Sequence, residues 1–289
     1  MPGPLLAFDA PSLLFRAFYA LPDSIKGADG RPVNGVLGSV NLVLRAVEEH
    51  SPRAVVACFG PDAAPYRVEL YPAYHADREA AVPDGIGHQF ELAGEMYSAL
   101  GWEVDSDDSV EADDLLGSYA AAEEETGGTA LILTGDRDMY QCASEAVKVL
   151  YVRTGKSGPD VLGPKEVRDR YGVPPEAVPD FIALRGDPSD GIPGAKGIGE
   201  KTAADLLRRH GSLEATIKGA IRESRPSVRS ALLDQREELL AFKEIATLRD
   251  VDVELPPDRP IDTEGAAAAA RELGMERLSK RLEGMRLDD

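Results

Sequence analysis

The sequence predicts an α/β fold, with a mostly parallel central sheet flanked by helices and a mostly helical C-terminal region. Three observations predict it. Short apolar runs recur through the first half, at Leu5–Phe8, Arg53–Phe59, Trp102–Val104, Ala130–Leu133 and Val147–Val152. Segments with helical spacing alternate with them, the pattern of strands joined by crossover helices. Beyond about residue 160 the strand-like runs stop and helical patterns continue.

Taken in order, Leu5–Phe8 reads as a strand that ends at Asp9, and Pro11 suits the first turn of a helix running to Ala20. Pro22–Pro32 carries Gly27, Gly30 and Pro32 and reads as a turn-rich loop. Val36, Val40, Val43, Leu44 and Val47 mark a helix over Val33–Glu49, and Arg53–Phe59 is a buried strand. Gly60–Gly87 has no sustained apolar period, is rich in Pro and Tyr, and reads as a long excursion. A helix over Phe90–Leu100, a strand at Trp102–Val104 and a helix over Val110–Glu125 follow, the last with Ser109 placed to cap it. After the strands at Ala130–Leu133 and Val147–Val152, helices are expected over Lys165–Tyr171, Ala177–Leu184, Lys201–Arg209, Leu213–Ala220 and Glu237–Leu248. The alanine run Ala266–Ala270 reads as a helix interior. A soft boundary near residue 185 divides an α/β core, 1–185, from a helical region, 186–289.

Composition sets bounds. The chain has 289 residues, 43% of them apolar, and a net charge of −19. No apolar run approaches the roughly 20 residues needed to span a bilayer, and no basic stretch precedes an apolar one at the N-terminus, so no membrane and a cytoplasmic location are expected. Cys58 and Cys142 each lie in an apolar segment and read as reduced core residues. The charge is uneven. Residues 60–126 hold 17 acids against Arg67 and Arg78, whereas residues 191–210 hold Lys196, Lys201, Arg208 and Arg209 against Glu200 and Asp205. Such acidity opposes tight nonspecific binding to nucleic acid, and it concentrates attention on the few basic places.

In a parallel sheet ligands bind outside the carboxyl ends of the strands. Asp9 stands at such a place, as do Glu111-Ala112-Asp113-Asp114 and Thr134-Gly135-Asp136-Arg137-Asp138. Gly186-Asp187-Pro188-Ser189-Asp190-Gly191 adds two carboxylates three apart in a turn. Acids at a helix start gain from the helix dipole, and Asp is a common turn former, so each motif alone has an ordinary explanation. Together they suit hard cations such as Mg²⁺ or Mn²⁺. Pro193–Lys201 then reads Pro-Gly-Ala-Lys-Gly-Ile-Gly-Glu-Lys. Gly-Ile-Gly before a helix lets backbone N–H groups approach a phosphate, and Lys196 and Lys201 on either side favour that reading over a plain inter-helix turn. With a helix on each side, 191–210 has the form of a helix-hairpin-helix, which reads no base sequence.

On these residues the chain resembles the 5′-nuclease family of 5′-3′ exonucleases and flap endonucleases, as a stand-alone relative of the 5′-nuclease domain of bacterial DNA polymerase I. The resemblance is carried by Phe8-Asp9 with Phe15-Arg16, by Tyr71-Pro72-Ala73-Tyr74-His75-Ala76-Asp77-Arg78, by the two acidic motifs, and by Gly186–Ala203. It implies a PIN-like or resolvase-like core and two or more divalent ions, Mg²⁺ or Mn²⁺, held by Asp9, Glu111, Asp113, Asp114, Asp136, Asp138, Asp187 and Asp190. It implies a helical arch near 61–86 for a 5′ single strand, with Asp9, Arg16, His75 and Arg78 in catalytic positions and Arg67 and Tyr74 in contact with DNA. Gly194, Lys196, Gly197, Ile198, Gly199 and Lys201 would hold duplex DNA, with a K⁺ ion at the hairpin. The substrate would be DNA with 5′ ends, flaps or branches, the protein a monomer, and a partner a DNA polymerase acting in trans.

Two positions depart from the family pattern. Gly60 stands where the family carries an aspartate at the end of its second strand, with Asp62 two residues on. His75 stands where the arch usually carries a lysine. Residues 60–85 hold five acids against Arg67 and Arg78, an acidic clamp for an acidic ligand. Two readings follow. One is an attenuated nuclease, whose cleavage should rise when Gly60→Asp and His75→Lys are combined; the other is a catalytically impaired module that binds branched DNA.

Overall fold

The computed structural model describes residues 3–76, 83–153 and 158–285. A six-stranded sheet runs through it: β1 (Leu5–Asp9), β2 (Ala54–Phe59), β3 (Glu103–Ser106), β4 (Ala130–Thr134), β5 (Val147–Tyr151) and β6 (Asp160–Leu162). The strand order is β3-β2-β1-β4-β5-β6, parallel throughout except for β6, which runs antiparallel to β5. The chain builds outward from β1 to β3 on one side and then returns to lay β4 on the other. The order therefore reverses between β1 and β4, and a crevice opens at their carboxyl ends. Registers of Asp9 with Cys58 and of Phe8 with Leu133 bring the ends of β1, β2 and β4 level.

Alternation along each strand divides the core into two layers. Leu5 and Ala7 of β1 face one layer, with α5 (Ala112–Glu125) against the sheet. Leu6 and Phe8 face the other, which contains residues of α1 (Ala10–Ala20), α2 (Asn34–His50) and α4 (Gly87–Ala99). Phe8, Tyr97 and Trp102 meet edge-on or tilted at centroid distances of 5.0–5.6 Å and fill the second layer. The two cysteines are free, Cys58 buried and Cys142 half-buried. Among the described residues no helix is long and apolar enough to cross a membrane.

The sheet and its flanking helices are as the sequence predicts; the differences are local and have physical causes. Asp107, not the start of the helix, engages Ser109: its carboxylate accepts from both the Ser109 N–H (2.7 Å) and hydroxyl (2.6 Å). Helix α5 begins after Glu111 instead. The excursion after β2 contains a short helix, α3 (Pro65–Leu70), started by proline. Strand β6, too short to show a period, was not expected.

The helical region comprises α6 (Pro164–Tyr171), α7 (Val178–Arg185), α8 (Glu200–His210), α9 (Leu213–Gly219), α10 (Pro226–Asp234), α11 (Arg236–Ala246), α12 (Thr263–Glu272) and α13 (Glu276–Gly284). Its packing cuts across the expected division at 185. Helices α7 to α11 share the first core layer with α5. Helices α12 and α13 return to the second layer, placing Ala266, Leu278 and Leu282 among residues of α1, α2 and α4. Arg281 bridges to Glu48 at 2.9 Å, and the Ala28 N–H donates to the Leu273 carbonyl at 3.1 Å.

Candidate metal centre and nucleic-acid interface

Asp9 ends β1 and caps α1, and its two oxygens are held separately. The Ser12 N–H donates to Oδ1 and the Thr134 hydroxyl to Oδ2, both at 2.9 Å. Thr134 ends β4, so this second bond spans the crevice. Burial raises the Asp9 pKa despite these bonds and the nearby Arg16. Arg16 reaches the same crevice from α1, donating to the Gly135 carbonyl at 2.6 Å. A Cβ on Gly135 would overlap the Arg16 guanidinium, so the glycine makes room for it.

Beyond β4, Asp136 accepts from the Asp138 N–H at 3.1 Å. Asp138 is buried, and its Oδ1 has no hydrogen-bond partner. Asp138, Asp187 and Asp190 each offer a carboxylate oxygen, and these atoms lie within 4.8 Å of one another. All three are buried. Asp187 is steadied by Arg185 at 2.8 Å and accepts the Ser189 N–H at 2.9 Å. Asp113, in the first turn of α5, lines the same cleft, whose volume is about 1510 Å³. Burial and mutual repulsion raise three of these pKa values: Asp136 to about 6, with Asp190 the largest charge acting on it, and Asp113 and Asp138 well above the usual carboxylate range. An orphaned buried oxygen among carboxylates reluctant to ionise fits a divalent cation. Asp9, Asp113, Asp136, Asp138, Asp187 and Asp190 are thus brought to one place from positions far apart in sequence.

Of the other two expected ligands, Glu111 also lines the cleft and Asp114 does not. Asp114 is fully buried, and its carboxylate is taken up by Arg67 (2.9 Å), the Arg249 N–H (2.8 Å), the Tyr66 hydroxyl and the Glu111 N–H (3.1 Å). It stands behind the cleft and does not line it. Glu111 accepts the Ala64 N–H at 2.7 Å and the Tyr74 hydroxyl at 3.0 Å, and pairs with Arg67 at 2.7 Å. Arg67 and Tyr74, 2% and 6% exposed, line the same cleft from its buried side, where Arg67 is paired with Glu111 and Tyr74 is bonded to it. Burial opposes the Arg67 charge, but Glu111 and Asp114 outweigh it and raise its pKa.

His75 is not a surface residue. It has a φ of 53°, stacks on Tyr74 with centroids 4.0 Å apart, and sets Nε2 3.2 Å from Asp190 Oδ1 and Nδ1 against the Asp62 carbonyl. Gly60 has a steric cause. A Cβ there would lie 2.6 Å from the Ala112 backbone nitrogen, so the strand end passes too close to α5 for any side chain. The Gly60→Asp half of the expected gain of activity therefore fails on geometry. Asp62 is more than half exposed and lines the cleft. Arg78 and residues 77–82 of the expected arch lie outside the described residues.

In the hairpin, Gly194 has a φ of 68°, and a Cβ would come within 2.3 Å of the Gly186 nitrogen, so glycine is needed there for closure. Gly197 and Gly199 have open space where side chains would be. Ile198 is buried and its N–H donates to the Ala195 carbonyl at 3.0 Å, so it anchors the loop and offers DNA nothing, contrary to expectation. The Lys196 N–H is bonded to Gln235 at 2.8 Å, leaving its exposed side chain, with that of Lys201, to face solvent. Sequence reading missed Thr134, Ser189 and Arg185, which orient the acids; Arg185 stands two residues from Asp187, the one local signal available.

A doubly wound sheet with carboxylates at its switch point, joined to a helix-hairpin-helix, is the layout of a resolvase-like nuclease core. The chain belongs to the 5′-3′ exonuclease family: residues 4–172 match the 5′-3′ exonuclease N-terminal resolvase-like domain and residues 173–266 the 5′-3′ exonuclease C-terminal SAM fold. It is 37% identical over 293 residues to a 5′-3′ exonuclease of Streptomyces coelicolor, covering 93% of this chain and 96% of that one. A 5′-3′ exonuclease of Mycobacterium tuberculosis is 36% identical over 280 residues, covering 90% and 86%. DNA polymerase I of the same organism is 38% identical over 256 residues, 88% of this chain, but the match spans only 28% of that longer protein. Among solved structures, T5 5′-exonuclease with bound zinc superposes with a TM-score of 0.71 at 17% identity, covering 97% of this chain and 98% of that one. The catalytic core of Rad2 in complex with DNA gives 0.65 at 14%, covering 99% and 93%. At these identities the structures attest the fold.

Proposed function

We propose that the chain is a structure-specific 5′ nuclease that hydrolyses DNA phosphodiesters at 5′ ends and flaps with divalent cations, Mg²⁺ or Mn²⁺. The observation that carries this reading is the unpartnered Asp138 oxygen grouped with Asp187 and Asp190 in a cleft that also receives Asp9, Asp113 and Asp136. These six residues would hold the ions, which supply Lewis-acid stabilisation of the charge that grows on the phosphate. The chain does the rest. Arg16 presents positive charge beside Asp9 at the switch point. The amide groups at Gly197 and Gly199 would hold a duplex phosphate at the start of α8, where the helix dipole favours an anion, and a K⁺ ion at the hairpin would add positive charge there. His75 fixes the rotamer of Asp190. Phe15, Tyr19 and Phe90 line the far wall of the cleft and give an unpaired base an apolar surface.

A second reading, a branched-DNA binding module, is favoured by Gly60, which leaves β2 without a carboxylate. A labelled 5′-flap DNA incubated with Mn²⁺ or Mg²⁺ separates the two. Cleavage that needs the metal and disappears in Asp136→Ala is the expected result; binding without cleavage would establish the module.

A further inference from the structure

We propose that the Arg67 guanidinium takes the place of a cation between Glu111 and Asp114, making Arg67 a positioning residue and these two acids an anchor that binds no divalent ion. The proposal rests on the metal-centre reading above and narrows it.

Arg67 makes an ion pair with each acid and one backbone hydrogen bond, its Nη1 meeting Glu111 by charge and proximity and not in hydrogen-bond geometry. Nη1 lies 2.7 Å from Glu111 Oε2, Nη2 lies 2.9 Å from Asp114 Oδ1, and Nε donates to the Ile245 carbonyl at 3.0 Å. Each acid has further donors of its own. Glu111 Oε1 takes the Ala64 N–H, and Oε2 takes the Tyr74 hydroxyl. Asp114 takes the N–H groups of Arg249 and Glu111. A carboxylate has about four lone-pair sites, and little capacity remains on either. The approach from β2 is shut as well, since the backbone of Ala112 occupies the space a side chain on Gly60 would need. Asp138, by contrast, keeps an oxygen with no donor at all. Positive charge is thus built in on one flank of the cleft and wanted on the other.

The same contacts join three segments. Arg67 and Tyr74 belong to the excursion after β2, Glu111 and Asp114 to the start of α5, and Ile245 and Arg249 to the end of α11 and the turn beyond it. A guanidinium suits this junction because its planar fork meets two carboxylates at fixed angles, which an ammonium cannot do. The foot of the excursion is therefore set relative to the metal-binding acids by one buried side chain.

The test is Mn²⁺ affinity, measured by calorimetry on the full chain. Glu111→Gln retains an acceptor for Ala64 and leaves Arg67 paired with Asp114, so it should fold and change the Kd by less than about threefold. Asp138→Asn should weaken binding by about tenfold or more. Arg67→Met frees Glu111 and should tighten Mn²⁺ binding or add an ion while lowering kcat on flap DNA, and Arg67→Lys, which returns the charge without the fork, should restore the wild-type ion count but not kcat. Equal weakening by Glu111→Gln and Asp138→Asn would overturn the proposal while sparing the metal centre. No weakening by Asp138→Asn would overturn the metal centre itself.

Discussion

Asp136 shows what a crowd of acids costs a fold. Its pKa rises from 3.8 to about 6, first through burial and then through Asp190. Between those two values the folded chain holds a proton that the unfolded chain has released, so stability falls as pH rises through the window. The metal-free protein should therefore melt higher at pH 5 than at pH 7.5 on account of this group. Asp136→Asn should stabilise the metal-free protein at pH 7.5 by on the order of 2 kcal/mol, seen as a higher Tm, and leave little change at pH 4. Thermal melts in chelator across that range check it; a destabilised Asp136→Asn protein at pH 7.5 would mean that the carboxylate is paired, not strained. Arg67 shows the opposite case, in which a buried charge has counter-ions beside it, Glu111 and Asp114. Sequence alone could not separate the two. Both are charged residues near strand ends, and only the packing reveals which has a counter-ion.

At the scale of elements, the hairpin between α7 and α8 separates glycines that close the turn from glycines that leave a surface open. Gly194→Ala should destabilise the protein, because its Cβ meets the Gly186 backbone and its φ is positive. Gly199→Val should leave the Tm nearly unchanged, since Gly199 has an ordinary φ of −92° and empty space around it. It should nevertheless weaken duplex binding severalfold by displacing phosphate, as fluorescence anisotropy would show. Five of the six strands and most helices were legible because apolar periodicity is a local signal. So was the meeting of Asp9 with Asp136 and Asp138, since parallel strands end on one rim; Asp187 and Asp190, which follow α7, came to the cluster only through the family resemblance. The docking of α12 and α13 was not legible, although Ala266–Ala270 read as a helix interior. The pair's alanine-rich apolar face says that it packs, but the surface it packs on is chosen by tertiary fit. Gly60 read as a lost ligand for the same reason, because the distance between a strand end and a helix start is written nowhere in either segment.

The whole molecule carries a charge of −19 and meets a polyanion with a small basic surface. Binding should therefore depend on a few phosphate contacts. Each contributes about −0.9 to the slope of log K against log salt. Replacing Lys196 and Lys201 with Gln should make that slope shallower by about 2 and weaken duplex binding without regard to sequence. An unchanged slope would place the duplex elsewhere. The margins of the sheet bear on how such a molecule behaves when many copies meet on one DNA. One edge is β3, four residues long and carrying Glu103 and Asp105; the other is β6, three residues long and reversed in direction. Neither offers a neighbouring copy enough rungs or a neutral enough face to extend the ladder. Sheet-edge pairing between copies crowded on one DNA is therefore disfavoured.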